Sequence, residues 1–270
     1  MFKKYLIIAS KQDLAGMNIL TQFFQYIDEF QNKNVKFETV DGSILDEGNL
    51  DLEKINNFDF VVFASKHSTS STEKQKTISI HAPGNFREVW GGGKQGKLGI
   101  SSALFNKHLF ENLEQQIQDL DLRGYKLTLE VTHHGPLINK PCLFLEIGST
   151  EIDWKDKRAG FVIANALKKA IDTFEENKYR EIAVAIGGPH YCPSFNKIQS
   201  NSNVAISHII PGYVSPITEE FIEEAIEKTL EEIDFVILDW KGLGNSEQRD
   251  KVVEILNKNY IQWKRASEIN

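Results

Sequence analysis

Short apolar runs alternate with amphipathic stripes along most of the chain. Residues 5–9, 35–40, 58–64 and 77–80 are compact apolar runs that predict four strands in the first third. Residues 125–132, 142–147, 182–186, 204–209 and 235–240 predict five more. Several of these runs are continuously apolar, the pattern of strands covered on both faces. Helical spacing fills the intervals. Leu20, Phe23, Phe24 and Ile27 form one stripe. Ala159, Val162, Ile163, Ala166, Leu167, Ala170, Ile171 and Phe174 follow the i, i+3, i+4, i+7 rule through several turns. Phe221, Ile222, Ala225 and Ile226 repeat it behind Thr218, a residue suited to an N-cap. Segments 102–120 and 246–258 complete the helices. This alternation predicts an α/β protein: a three-layer α/β/α sandwich on a mainly parallel, mixed sheet, formed by one catalytic domain over residues 1–270. In such sheets ligands sit beyond the C-terminal ends of the strands.

Those ends carry an unusual set of side chains. Six of the seven histidines fall at or just after a predicted strand. They lie in Ser65-Lys66-His67, His81-Ala82-Pro83-Gly84-Asn85-Phe86, His133-His134-Gly135-Pro136, Gly187-Gly188-Pro189-His190-Tyr191-Cys192 and His208-Ile209-Ile210-Pro211-Gly212-Tyr213. Turns are rich in Gly and Pro for their own reasons, but that does not account for the histidines. His108 alone falls inside a helix and reads as an ordinary helix residue. Glu146 interrupts the apolar run 143–147, and burying an unpaired carboxylate is costly, so it reads as an ion-paired group, a metal ligand or a base. Glu130 poses the same question in the run 127–131. Chemistry and strand-end position select His81, His133, His134, Glu146 and His190 as the catalytic candidates. His133, His134, Glu146 and His190, with Cys192 nearby, offer atoms that bind zinc, although no HExxH or CxxC spacing is present. Lys66, His67, Asn85, Phe86, Gly187, Gly188 and Pro189 are the substrate-binding candidates.

Composition narrows the setting. A net charge of −7 argues against a broadly nucleic-acid-binding surface, because phosphate neutralisation supplies much of that affinity. Local basic groups remain at Lys66/Lys74/Lys76, Arg87/Lys94/Lys97 and Lys155/Lys157/Arg158, the first two beside His67 and His81. Two cysteines make no disulfide framework and suit a reducing cytoplasm. No segment reaches the ~20 apolar residues of a membrane span, and the apolar start of the chain is too short for a secretory signal, so no membrane partner is expected. The sequence 91–98 has a GxxxxGK skeleton, but Leu98 stands where a P-loop needs Ser or Thr. Ser194 and Cys192 lie in no nucleophile motif.

Taken together, the five histidine segments, with Glu146-Ile147-Gly148-Ser149-Thr150-Glu151 and Trp154, resemble the archaeal and plant D-aminoacyl-tRNA deacylases. The resemblance spans about residues 65–213. It implies a phosphorylase/hydrolase-like fold distantly similar to peptidyl-tRNA hydrolase. It also implies zinc as cofactor and hydrolysis of the ester of D-aminoacyl-tRNA to tRNA and a D-amino acid, with broad side-chain tolerance. The expected form is a cytoplasmic monomer acting by zinc- or histidine-activated water. Competing readings are a zinc-dependent peptidase or amidohydrolase on a related fold, a nucleoside-phosphorylase-like enzyme and a non-catalytic RNA-binding module.

Overall fold

The structure is a computed structural model describing residues 2–26, 35–69, 72, 74–175 and 181–269. The strands are β1 (Tyr5–Ser10), β2 (Val35–Val40), β3 (Phe60–Lys66), β4 (Thr77–His81), β5 (Gly84–Asn85), β6 (Lys97–Leu98), β7 (Lys126–Leu129), β8 (Cys142–Gly148), β9 (Glu181–Ile186), β10 (Val204–Ile210), β11 (Phe235–Leu238) and β12 (Trp263–Arg265). The helices are α1 (Leu14–Phe23), α2 (Leu52–Ile55), α3 (Ala103–Asp119), α4 (Glu151–Trp154), α5 (Lys157–Thr173), α6 (Pro193–Asn201), α7 (Glu219–Glu227) and α8 (Ser246–Lys258).

The strands form an α/β architecture with two main sheets. One has the order β2-β1-β3-β8-β4-β7, the other β10-β9-β11-β12, and β5-β6 make a small third ladder. All pairings in the two main sheets are parallel except β4 against β8. One apolar face of the first sheet is covered by α1, α3 and α5, whose stripes supply Ile19, Phe105, Phe110, Ile163 and Leu167. The same cluster continues into Ala183, Ile206 and Ile237 of the second sheet, so one core runs beneath both. The second sheet buries its other face, Val184, Ile186, Val236 and Leu238, against Ile222 of α7 and Val252 and Leu256 of α8. The first sheet's opposite face carries Leu6, Ile8, Phe63 and Phe144, covered by Ile44, Ile55 and Ile138.

The two sheets meet along the free edge of β7. Leu129 N donates to Asn196 Oδ1 at 2.7 Å, Val131 N to the His190 carbonyl at 3.1 Å and Thr132 N to the Ile209 carbonyl at 2.9 Å. The ladder therefore ends at Leu129, although the apolar run continues: the edge beyond it is satisfied by the second half, through the His190 loop and Ile209 of β10. Two expectations shift locally. Phe24 lies beyond the end of α1 and is 51% exposed, because the helix gives way to a 3-10 turn at that residue. Ile27 lies outside the described residues. Thr218 occupies the N-cap of α7 without a side-chain capping bond.

Candidate active site

The antiparallel pairing decides how the site is assembled. Glu146 of β8 stands opposite Ser65 of β3 on one side and Ser79 of β4 on the other. β4 and β7 run against the other strands of the first sheet. Their C-terminal residues therefore approach from the opposite direction to those of β3 and β8. The chemistry gathers on a sheet face where the two directions meet, instead of at one common strand end.

Two buried glutamates organise the cluster. Glu130, which follows β7, lies 2.9 Å from His190 Nε2, 3.0 Å from His67 Nδ1 and 3.7 Å from His133 Nε2. Glu146 accepts a 2.5 Å hydrogen bond from Ser65 Oγ and stands 3.6 Å from His67 Nδ1 and 3.9 Å from His81 Nε2. Burial opposes the charge on Glu130, but the His190 and His67 hydrogen bonds outweigh it and hold the carboxyl well below its usual range. Burial likewise opposes the charge on Glu146, and His67 and His81 bring its carboxyl down to about 2. Burial works against protonation of His67, yet the two carboxylates raise it to about 11. His67 is thus an imidazolium between two carboxylates, with its Nε2–H donated to Tyr191 Oη at 2.7 Å.

Three other histidines pack ring against ring. The His81 and His133 ring centroids are 4.1 Å apart, and those of His133 and His134 are 4.3 Å apart. His81 also stacks on Phe144 at 5.0 Å. Burial, then the His81 and His134 imidazoles, hold His133 well below its usual value, while burial and His81 push His134 down to about 4. In each of the three, Nδ1 faces a backbone carbonyl: Ala82 at 3.1 Å, Val131 at 2.8 Å and Gly135 at 2.8 Å. A carbonyl can only accept, so each Nδ1 carries a proton, and in His133 and His134, held neutral, Nε2 keeps its lone pair. His81 Nε2 is buried without a hydrogen-bond partner.

Donor atoms fall into three overlapping groups among the described residues, each within 4.8 Å: His81/His133/His134, His67/Glu130/His190 and His81/Glu130/Glu146. The four-residue set His133, His134, Glu146 and His190 expected from sequence is divided among them. Two clefts flank the cluster. A polar one of about 400 Å³ is lined by Asp13, Ser65, Lys66, His67 and Glu146. An aromatic one of about 190 Å³ is lined by Asn85, Phe86, Trp90 and Tyr213. His133, His134, His190 and Trp90 line both.

The remaining candidates sort clearly. Lys66 is exposed, with Nζ 5.1 Å from the Trp154 ring centroid. Asn85 is buried and ties down the glycine loop through Gly92 O and Trp90 N. Gly187 and Gly188 pack against Asp239, and Pro189 is exposed; none of the three lines either cleft. His208 lies apart, bonded to Thr132 Oγ1 and the Lys228 carbonyl. His108 is buried and bonded to Thr173 Oγ1. The GxxxxGK segment leads into β6 and not into a helix, so it presents no phosphate cradle. Glu130 takes a larger part than its sequence context suggested, though its signal, a carboxylate in an apolar run, was the same as that of Glu146. Asp13 joins the site without any local signal, and Ser65 and Tyr191, which lie in the histidine segments, join it without having been candidates themselves.

This arrangement suits hydrolysis of an activated acyl bond, and the comparisons point the same way. Residues 54–264 match the family described as D-aminoacyl-tRNA deacylase, which is more than half of the chain. The chain belongs to the D-aminoacyl-tRNA deacylase family. A D-aminoacyl-tRNA deacylase of Methanocaldococcus jannaschii is 30% identical over 271 residues, covering 97% of this chain and 100% of that protein. One from Thermococcus onnurineus is 34% identical over 267 residues, covering 92% and 95%. A crystal structure of a conserved protein of unknown function superposes with a TM-score of 0.86 at 27% identity, covering 98% of this chain and 96% of its own. The histidine and glutamate cluster of this D-aminoacyl-tRNA deacylase family member falls within the matched residues. No helix among the described residues is long and apolar enough to cross a membrane.

Proposed function

We propose that this protein hydrolyses the ester of D-aminoacyl-tRNA, releasing tRNA and a D-amino acid, at the His/Glu cluster between the two clefts. The observation that carries the reading is the bond between His190 and Glu130. A partly exposed imidazole facing the clefts is fixed through Nε2 by a fully buried carboxylate at 2.9 Å. This is the arrangement of an oriented general base. His190 takes the proton of the attacking water on Nδ1 and returns it to the departing ribose oxygen. Glu130 keeps the ring in that tautomer and stabilises the imidazolium. His67, held cationic between Glu130 and Glu146, balances part of their charge and keeps Glu130 aligned on His190.

His81, His133 and His134 fit zinc. Imidazole is a common zinc donor, each ring offers Nε2, and each Nδ1–H is anchored on a carbonyl as metal-binding histidines usually are. Bound there, zinc would supply Lewis acidity and lower the pKa of water. The exposed Lys66, which lines the polar cleft, supplies a cation for the tRNA backbone. The deciding experiment compares release from D-Tyr-tRNA and L-Tyr-tRNA, with and without a zinc chelator. Release from the D-substrate alone, abolished by the chelator and restored by Zn²⁺, is expected. D-selective release indifferent to the chelator would remove zinc and leave the histidine base. No release from either substrate would overturn the deacylase reading in favour of a peptidase or amidohydrolase.

A further inference from the structure

We infer that the two clefts divide the substrate, the aromatic cleft receiving the base of the tRNA 3′-terminal adenosine and the polar cleft the aminoacyl group. The inference rests on the deacylase reading and assigns the parts of that substrate.

Exposed large aromatic rings are few. Among the described residues they are Phe24, Trp90, Tyr213 and Tyr260, and two of these four line the same narrow cleft: Trp90 at 66% exposure and Tyr213 at 61%. Phe86 is buried at the same cleft, against Phe221 at 5.5 Å between centroids. Every nucleobase has a π-face, and exposed aromatics beside a site are the usual stacking platforms for unpaired bases.

Trp90 is held by its loop. Its backbone N donates to Asn85 Oδ1 at 2.9 Å, and its indole Nε1 to Glu88 Oε2 at 3.1 Å. The following glycines are left-handed and dock on the segment after His134, with Gly135 N donating to Gly91 O at 2.8 Å. A Cβ on Gly92 would stand 1.5 Å from Leu45 O, and one on Gly135 2.5 Å from Gly92 C. Only glycine permits this approach, which fixes the indole between the clefts.

Substrate chemistry sets the direction. The scissile ester lies between the nucleoside and the amino acid. His133, His134 and His190 line both clefts, so an ester lying on them sends one part each way. The polar cleft carries Asp13 and Glu146, counter-charges for an α-ammonium group. The aromatic cleft carries Phe86 and Tyr213, with Trp90 standing where the two clefts meet.

The test uses adenosine 5′-monophosphate as probe, with wild type, Trp90→Ala, Tyr213→Ala and Trp90→Phe. In D-Tyr-tRNA hydrolysis the nucleotide should inhibit wild type competitively. Trp90→Ala and Tyr213→Ala should each raise its inhibition constant and the KM for D-Tyr-tRNA, by roughly tenfold per ring. Trp90→Phe should recover most of the loss, separating stacking from a damaged loop. Unchanged constants in both alanine variants would overturn the assignment. So would variants that change the preference between D-Tyr-tRNA and D-Ala-tRNA while leaving nucleotide inhibition intact, because the cleft would then hold the amino-acid side chain. Should wild type fail to hydrolyse D-Tyr-tRNA, the deacylase reading falls by itself. Calorimetric titration of the nucleotide into wild type and Trp90→Ala then decides the subsite, and absence of ring-dependent binding at millimolar concentration rejects it.

Discussion

Replacing Glu130 with Gln removes one charge from the centre of the cluster and preserves its size. Glu130 is fully buried, 2.9 Å from His190 Nε2 and 3.0 Å from His67 Nδ1. A buried hydrogen bond to a charged group contributes about 1.5–3 kcal/mol. At about 1.4 kcal/mol per tenfold in rate, losing the stabilisation of the His190 imidazolium should cost roughly 10- to 150-fold in kcat. The loss should appear in kcat more than in KM, because the charge on His190 develops only as the reaction proceeds. The replacement also leaves the buried His67 with Glu146 as its one remaining carboxylate partner in the cluster, so the melting temperature should fall as well. Rapid-quench, single-turnover hydrolysis of D-Tyr-tRNA, with circular dichroism to check the fold, measures both. A folded Glu130→Gln protein within about threefold of wild-type kcat would refute the His190–Glu130 mechanism.

Two further outcomes are expected. His81→Ala should weaken zinc retention on dialysis by more than about tenfold, while His108→Ala, at a residue bonded to Thr173 away from the cluster, should keep it; equal metal content in wild type and His81→Ala would reject the three-imidazole site. His208 is pushed down to about 4, chiefly by burial, from an unfolded value near ~6.5. The unfolded chain therefore binds the extra proton first, and stability should be complete above about pH 6.5 and decline by about 3 kcal/mol as pH falls through about 4. Urea denaturation across that range should give a flatter pH dependence for His208→Gln, and identical slopes would exclude the contribution.

Much of the fold was legible because burial writes itself into composition. Residues 35–40 form a strand with the expected bounds, and α3 and α8 fall within a residue of expectation. Strand direction was not legible. β4, Thr77-Ile78-Ser79-Ile80-His81, pairs parallel with β7 and antiparallel with β8, and nothing in its sequence sets the two directions apart. The division into two sheets was hidden for the same reason, since the run ending β7 stays apolar where its partners change from β4 to the His190 loop and β10. α6 escaped notice because it buries only Phe195, Ile198 and Gln199. In the site, histidines stood out since they are scarce at strand ends. Asp13 did not, because its visible task, capping α1 through Gly16 N, accounts for an aspartate there. Tyr191 and Ser65 acquire their partners across 124 and 81 residues, separations that local pattern cannot register. Gly187 and Gly188 carried the opposite risk: their motif resembled a ligand loop, but it packs the turn after β9 against Asp239.

The seam between the sheets has a consequence for how this enzyme can vary. His190 and Tyr191 arrive from the second sheet, while Glu130 and His67 arrive from the first, and their contacts at 2.9 and 2.7 Å cross the joint. Core substitutions on either side are thus coupled through the active site. A methylene added beneath β9 that lifts its loop by half an ångström would lengthen a proton-transfer distance without touching a functional side chain. Drift in sequence must therefore be compensated across the joint, pairing changes in one half with changes in the other. Recombining halves from distant relatives should preserve two well-formed sheets more readily than a working catalyst.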